Sequence, residues 1–272
     1  MYFTSLVVRC KNEPFIQEFI EHYFREGIDF IYIIDDASSL EYPKKVLKHK
    51  RVKIFWEDNI ILKNIVSTIY QKIKSNTHWL IYVDADEFIT TRKNNQNTIR
   101  DELSTTFSNI DCIKVPWVLM SCNNKEKNPK ILLKENIYRW NHDIRHENKK
   151  SNKEKFRCRY DEIEVKCIFK TAKFNDIWDH HPKEPIGNIH CVDSVYSSKK
   201  PLKTFYSSLR EADIKAAYLV CYHYRIVSRE NCLSKIAGNI WYSDYSLKDL
   251  MSTDYPEVVD FTLKHKSKRK RL

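Results

Sequence analysis

Glycine is nearly absent from this sequence, with three residues in 272. That scarcity excludes every phosphate-binding loop built on closely spaced glycines, both G-x-G-x-x-G and Walker A, and with them the usual nicotinamide and P-loop enzymes. It also excludes collagen-like and glycine-rich arrays. No run of apolar residues approaches the roughly 18 that a membrane span needs. The start, MYFTSLVVRC, lacks a basic n-region, and its apolar run is too short for a signal peptide, so a cytoplasmic protein is expected. Eight cysteines are scattered without a C-x-x-C pair, which argues against structural zinc and for buried free thiols. No internal repeat and no Pro/Gly/Ser linker divides the chain.

Positive charge is plentiful but local. Lys and Arg number 47 against 36 Asp and Glu, a net charge of +11. The stretch from Lys264, KHKSKRKRL, holds six basic residues and no acid, and Asn123 to Lys155 holds ten against five. Without these two segments the chain balances at 31 against 31. A nucleic-acid-binding domain carries its basic stripe on folded elements, so nucleic acid is not the expected partner. Residues 264–272 are expected to form a solvated tail, suited to peripheral contact with an anionic membrane or to a nuclear-localisation-like patch.

The first hundred residues alternate strand and helix patterns. Phe3 to Val8 is a short apolar run, read as a buried strand. Asn12 and Pro14 predict a helix start, as N-cap and first-turn proline. Phe15, Ile16, Phe19, Ile20, Tyr23 and Phe24 then repeat at helical spacing up to a stop at Gly27. Phe30 to Ile34 predicts a second strand, ending in Asp35 and Asp36, and Val52 to Trp56 a third. Ile61, Leu62, Ile65, Val66, Ile69, Tyr70 and Ile73 make an amphipathic helix. Trp79 to Val83 predicts a fourth strand, ending in Asp84-Ala85-Asp86-Glu87. Further strands are expected at Asp111 to Met120, Ile163 to Phe169 and Tyr218 to Tyr224. Ser121 to Lys155 reads as a polar loop or partly ordered insertion. Ser228 is expected to cap a final helix with Leu233, Ile236, Ala237 and Ile240 on one face. The expected fold class is α/β: an open, mostly parallel sheet flanked by helices. One domain would span 1–263, with a ligand-binding half over 1–120, a basic insertion over 121–160 and an elaborated half over 161–263.

In such folds ligands bind at the carboxyl ends of strands. Three polar clusters fall there: RCKNE, DDASS and DADE. Asp84 and Asp86, alternate carboxylates leaving a strand, can approach one divalent cation, and their oxygens suit Mg²⁺ or Mn²⁺. Magnesium usually binds one or two protein carboxylates plus substrate phosphates, so a phosphate-bearing substrate is expected. Asp179-His180-His181-Pro182 is a second constellation. The residues by themselves leave two other classes open. One is a metal-dependent nuclease or other phosphoryl-transfer enzyme using Asp84 and Asp86. The other is a basic module that binds nucleic acid or an anionic surface.

Three segments, taken in order, resemble a known family: RCKNEPFIQEFIEHYFREGIDFIYIIDDAS, WLIYVDADEF and CYHYRIVSRENCLSK. They are similar to nucleotide-sugar glycosyltransferases of the GT-A fold, and more narrowly to glycosyltransferase family 92 and related family-2-like proteins. The first is similar to a pattern of K-N-E, a helix, a glycine, then a strand ending in acid-x-S. The second matches W-x-x-x-x-D-x-D-E-F, and the third an H-Y-R followed by serine and lysine. The resemblance implies a GT-A, Rossmann-like sheet, with donor binding in the first half and acceptor binding in the second.

By that resemblance Arg9, Lys11, Asn12, Glu13, Asp35 and Asp36 would line the nucleotide pocket, and Arg225 and Lys235 would meet the diphosphate. Asp84 and Asp86, with His223 and His180, would hold Mn²⁺ or Mg²⁺. Glu87 would orient the D-x-D loop or touch the sugar. The expected substrates are a nucleotide sugar, UDP-sugar favoured, and a glycan or glycoconjugate acceptor. Inversion, which the resemblance favours, needs a carboxylate base near the acceptor hydroxyl. Asp179, Glu162 and Glu164 are candidates, with Asp179 preferred. Read from the residues alone, Asn12 is also a plain helix cap, Glu13 a first-turn acid and His223 a structural histidine. Trp117, Trp140, Trp178 or Trp241 could line an acceptor groove, although core packing accounts for most aromatics. VLMSCNN stands where the family carries a glycine-containing segment, which leaves the acceptor open.

Overall fold

In a computed structural model, residues 1–58, 64–144, 146, 163–195, 205–206, 209–240 and 242–268 are described. The β-α-β alternation of the first third is present. Strands β1 (Tyr2–Cys10), β2 (Phe30–Asp36), β3 (Val52–Glu57) and β4 (Thr77–Asp84) alternate with α1 (Ile16–Arg25), α2 (Lys44–Leu47) and α3 (Ile65–Ile73). These four strands are parallel, with β1 between β2 and β4. Their apolar residues face both ways. Leu6, Val8, Ile31, Ile81 and Val83 pack under α1, whose Ile16, Phe19, Ile20 and Tyr23 form one buried stripe. Val7, Tyr32, Ile34, Leu80 and Tyr82 pack under Ile69, Tyr70 and Ile73 of α3. Each large side chain buried this way contributes about 1.5–3 kcal/mol.

After β4 come β5 (Glu87–Thr91), α4 (Ile99–Ser104), β6 (Cys112–Ser121), α5 (Leu132–Glu135), β7 (Tyr138–Arg139) and β8 (Ile163–Lys170). A hairpin of β9 (Phe174–Ile177) and β10 (Pro182–Pro185) follows, then β11 (Cys191–Asp193), β12 (Phe205–Tyr206), α6 (Glu211–Ala216) and β13 (Leu219–His223). The last elements are α7 (Arg229–Gly238), α8 (Leu247–Met251), β14 (Val258–Val259) and α9 (Thr262–Ser267). The main path through the sheet runs β14-β7-β6-β8-β4-β1-β2-β3. The expectation of a mostly parallel sheet is corrected here, because β8 runs antiparallel to both of its neighbours, β4 and β6. The fold is mixed α/β, with a curled open sheet flanked by helices.

Several local expectations change. Asn12 does not cap α1, which begins at Ile16 after Phe15. Its backbone is left-handed at φ 51°. Its Oδ1 accepts from Ser39 N at 2.8 Å and Leu40 N at 2.9 Å, so it clamps the loop after β2. Gly27 does end α1, at φ +86°, and a Cβ there would lie 2.6 Å from Arg100 Cβ. Ile61 and Leu62 of the expected third helix lie outside the described residues. Ser228 caps α7, its Oγ accepting from Asn231 N at 3.0 Å, but α7 is not the last helix. Of the four residues expected on one face, Leu233 and Ile240 are exposed and Ile236 packs partly buried against the core, while Asn231 and Cys232 are buried. The described part of the polar insertion is packed, with Cys122, Leu132, Leu133 and Trp140 buried. Seven cysteines are buried free thiols, as expected, and Cys158 lies outside the described residues. No helix among the described residues is long and apolar enough to cross a membrane.

The first residues of the basic C-terminal stretch belong to α9, and Lys266 is buried. Asp260, just before α9, ties this end to the sheet. Its carboxylate accepts from Arg92 Nη1 at 2.9 Å, Arg139 Nε at 2.9 Å and Tyr222 OH at 3.2 Å. Burial would raise its pKa, but Arg92, Thr262 and Arg139 outweigh it and hold the value at about 2. Asp260→Ala should therefore cost about 3 kcal/mol, read as a lower urea midpoint at neutral pH. A carboxyl depressed in the folded state stabilises only while it is ionised. That contribution should fade as pH falls from the ordinary carboxylate range through about 2 in the parent, and the variant should lack it.

Candidate active site

The parallel register sets the site. Arg9 lies opposite Asp84 at the carboxyl ends of β1 and β4, and Cys10 lies opposite Asp35 on β2. A cleft of about 880 Å³ opens over these ends, lined also by the turn after β9, by β13 and by α7. The inner face of α7 is polar because it forms this wall, through Asn231, Ser234 and Lys235.

Asp84 is held from both sides. Its Oδ1 receives Arg9 Nη2 at 2.8 Å and its Oδ2 receives Lys166 Nζ at 2.9 Å. Lys166, from the antiparallel β8, has no solvent exposure and also lies 3.3 Å from Glu87 Oε2. Burial would raise the Asp84 pKa, but Arg9 and Lys166 hold it well below the ordinary carboxylate range. Glu87 goes the other way: burial, with Asp84 and Asp86 nearby, pushes it well up despite Lys166. Of the two carboxyls around the ammonium, Asp84 is the one favoured as the anion, and Glu87 is pushed toward its protonated form. Glu87 Oε2 accepts from Asp84 N at 2.8 Å. It lies fully buried beneath the loop and orients it, the first of the two roles the sequence left open.

Asp86 has its own cation. Lys235 Nζ lies 2.7 Å from its Oδ2 and also donates to Arg225 O at 2.9 Å. Burial is outweighed by Lys235 and His223, which keep Asp86 ionised. His223 Nε2 is 3.6 Å from Asp86 Oδ1. Its buried Nδ1 has no hydrogen-bond partner, and its ring packs on Trp117 at 4.2 Å between centroids. Glu13 lines the same cleft. Enclosure by the chain, opposed by Lys235, pushes its carboxyl up to about 7.

The other wall carries the second constellation. Asp179 Oδ1 is 3.3 Å from Arg9 Nη1 and 3.4 Å from Tyr82 OH. His180 Nδ1 lies 3.1 Å from the Val165 carbonyl, which can only accept, so that nitrogen carries a proton. Its Nε2 is 3.1 Å from Glu164 Oε2, a contact that needs a second proton between ring and carboxyl.

Arg9, Lys11, Asn12, Glu13, Asp36, Asp84, Asp86, Asp179, His180, His223, Arg225 and Lys235 all line the cleft. Asp35 does not. It is buried, accepting from Tyr42 OH at 2.6 Å and Ser38 N at 2.9 Å, and it shapes the loop after β2 rather than meeting a nucleotide. His180, expected as a metal ligand, has both ring nitrogens engaged. Glu162 and Trp241 lie outside the described residues. Trp140 is buried, its Nε1 on the Thr253 carbonyl at 2.9 Å, away from the cleft. Lys166, the first lysine of a K-x-x-x-K segment with Lys170, carried no expected role in the site, although a lysine inside the apolar run IEVKCIF is a signal for one.

No group of three or more His, Cys, Asp or Glu side chains is arranged to hold a metal among the described residues. Asp86 and His223 nevertheless fit a divalent cation. They offer an ionised oxygen and a ring nitrogen whose protonation burial disfavours, 3.6 Å apart. The remaining ligands would have to be substrate oxygens, as is usual for cations bound with phosphates.

A family model, glycosyltransferase family 92, matches residues 70–263. A search of curated proteins finds no match. Among solved structures, HddC from Yersinia pseudotuberculosis is similar over 80% of this chain and 92% of that one, at 8% identity and a TM-score of 0.36.

Lys166→Met would leave the Asp84 charge with Arg9 alone in a buried setting. The expected loss is about 3–5 kcal/mol in denaturant unfolding. Adding Asp84→Asn should restore part of it, with a coupling of about 1 kcal/mol or more in the double-mutant cycle. Additive losses would show that the pair does not interact.

Proposed function

The chain belongs to glycosyltransferase family 92, and from that premise we propose a nucleotide-sugar transferase acting with inversion on a glycan or glycoconjugate hydroxyl. UDP-sugar is the favoured donor, and a divalent cation, Mn²⁺ or Mg²⁺, the favoured helper. In this reading the parallel unit β3-β2-β1-β4 is the nucleotide-binding half of a GT-A fold, and the mixed remainder is its acceptor side. The observation that carries it is the meeting of Asp84 and Asp86 with Arg9, Lys166 and Lys235 at the carboxyl end of the sheet. Such an array suits a leaving group whose negative charge grows as the glycosidic bond breaks.

Each residue then has a task. Arg9 and Lys166 keep Asp84 ionised and fixed. Lys235 steadies Asp86 and offers an ammonium to the departing diphosphate. Asp86 and His223 would hold the divalent cation, which supplies Lewis-acid charge to the leaving group when bound. Lys11 and Asp36 line the nucleotide end, 3.6 Å apart. Asp179, oriented by Arg9 and Tyr82, takes the proton of the acceptor hydroxyl as it attacks.

Thermal unfolding with UDP or GDP, with and without Mn²⁺, tests the donor half. One nucleotide at saturating concentration should raise Tm by about 5 °C only when Mn²⁺ is present, and Asp86→Asn should lose that rise. No rise with any nucleotide would sink the reading. For the base, Asp179→Asn should lower kcat by about 10²–10⁴ while the nucleotide-dependent Tm rise persists. Retained turnover would remove Asp179 from the mechanism.

A further inference from the structure

The two walls of the cleft differ in chemistry. The wall made by α7 and the loop after β1 brings basic side chains, Lys11, Arg225 and Lys235, to the opening. The opposite wall is aromatic and acidic. Trp178 lies there with 56% of its surface exposed, the most open large apolar side chain of that wall. The turn after it is tight: Trp178 N donates to His181 O at 2.8 Å, and β9 pairs with β10 on both sides of the turn. The indole is therefore presented on a fixed hairpin rather than a loose loop. Lys183 Nζ sits 5.4 Å from its ring centroid and is itself 3.0 Å from Asp176.

Deeper in the same wall is Trp117, 5% exposed and lining the cleft. Its ring lies between His223 and His180, at 4.2 and 5.5 Å between centroids. Its buried Nε1–H has no acceptor. An indole N–H can only donate, and leaving it unmet in a buried site costs about 1–3 kcal/mol. A ligand oxygen would remove that cost once the indole shifts to bring this N–H to the cleft surface. The wall thus offers an open aromatic face, a buried donor awaiting an oxygen, and the Asp179 carboxylate at 36% side-chain exposure. It offers no uncommitted cation among these described residues. Arg9 is bound to Asp84 and Asp179, Lys166 is enclosed, and Lys183 is paired with Asp176.

We propose that Trp117, Trp178 and the Asp179–His181 turn form the acceptor subsite, and that it takes a neutral pyranose laid against Trp178 in preference to an acidic sugar. A pyranose has an apolar C–H face that an indole covers well, and hydroxyls to meet the Trp117 N–H and the Asp179 carboxylate. A sugar carboxylate would face Asp179 with each cation of that wall, among the described residues, already paired. The word acceptor rests on the transferase reading, but binding of the sugar does not.

Binding is therefore measured without turnover, by saturation-transfer NMR on the full chain with UDP and Mn²⁺. The probes are methyl β-glucoside, methyl β-galactoside and methyl β-glucuronide. At least one neutral glycoside should bind, and the glucuronide should bind more weakly by about tenfold. Trp178→Ala should weaken the neutral sugar by about tenfold, and Trp117→Phe, which keeps a ring but loses the donor, should weaken it by about threefold. Trp56→Ala, which removes an exposed indole outside the cleft, should change nothing. Asp179→Asn should narrow the gap between neutral and acidic sugars. The proposal is overturned if the glucuronide binds as well as the neutral sugars, if Trp178→Ala leaves binding intact, or if none of the three sugars binds. A chain that binds neutral sugars but shows no nucleotide-dependent Tm rise would keep this subsite and lose the transferase reading.

Discussion

A lysine with no solvent exposure stands between two carboxyl groups at the end of the central strands, and the candidate site is arranged around that buried charge. An isolated ammonium in such a place is costly, so it must be paired and hydrogen-bonded. Asp84 answers it at 2.9 Å and Glu87 at 3.3 Å, and the two acids are linked through the Asp84 amide. Arg9 then balances the second oxygen of Asp84 and reaches on to Asp179. One continuous polar chain thus connects β8, β4, β1 and the turn after β9. Moving any member leaves another charge unmatched, which keeps the carboxylates of the strand end in one geometry.

That arrangement also explains the sheet. β8 enters between β4 and β6 from the opposite direction, breaking the parallel pattern of the first half. Running that way, it places Glu164 and Lys166 on successive same-facing positions beside the strand ends. The return through β9 then carries Trp178, Asp179 and His180 over the cleft. An antiparallel strand starts at the carboxyl edge of its neighbours, so the first residues of β8 stand at the cleft, and the chain returns to that edge through β9. The mixed topology is the means by which the second half of the chain supplies one wall of a cleft whose other side is built by the first.

Much of this was legible in the sequence, and for a physical reason. Short apolar runs ending in acids are local signals, so β1, β2, β3, β4, β6, β8 and β13 were found within a residue or two. The clusters at Arg9–Glu13, Asp84–Asp86 and His223–Arg225 meet because parallel strands put their carboxyl ends on one edge. What failed depended on contacts between distant segments. Asn12 looks like a helix cap, yet its amide is claimed by Ser39 and Leu40 across the gap between β1 and β2. Asp35 looks equivalent to Asp36, but its strand position turns it inward to Tyr42. Helical periodicity located α7 but did not show that its polar Asn231 is buried where the helix lines a polar cleft. Lys166 was visible as the first lysine of a K-x-x-x-K segment with Lys170, but its meaning depended on which strands flank β8.

Lys266 carries a consequence for how the chain acquires its structure during synthesis. Its ammonium bonds to Thr91 Oγ1 and to the Asn97 carbonyl, and lies 3.5 Å from the Glu26 carboxylate at the end of α1. Glu26 is itself buried, and holds Thr90 Oγ1 and Ile99 N. A ribosome delivers this acid about 240 residues before its counter-ion. Until α9 emerges, the nascent first half carries a buried carboxyl that must stay protonated or keep water beside it. The basic stretch that looked like an appendage therefore acts as a latch, and the first helix reaches its final stability only after α9 has followed it out of the ribosome.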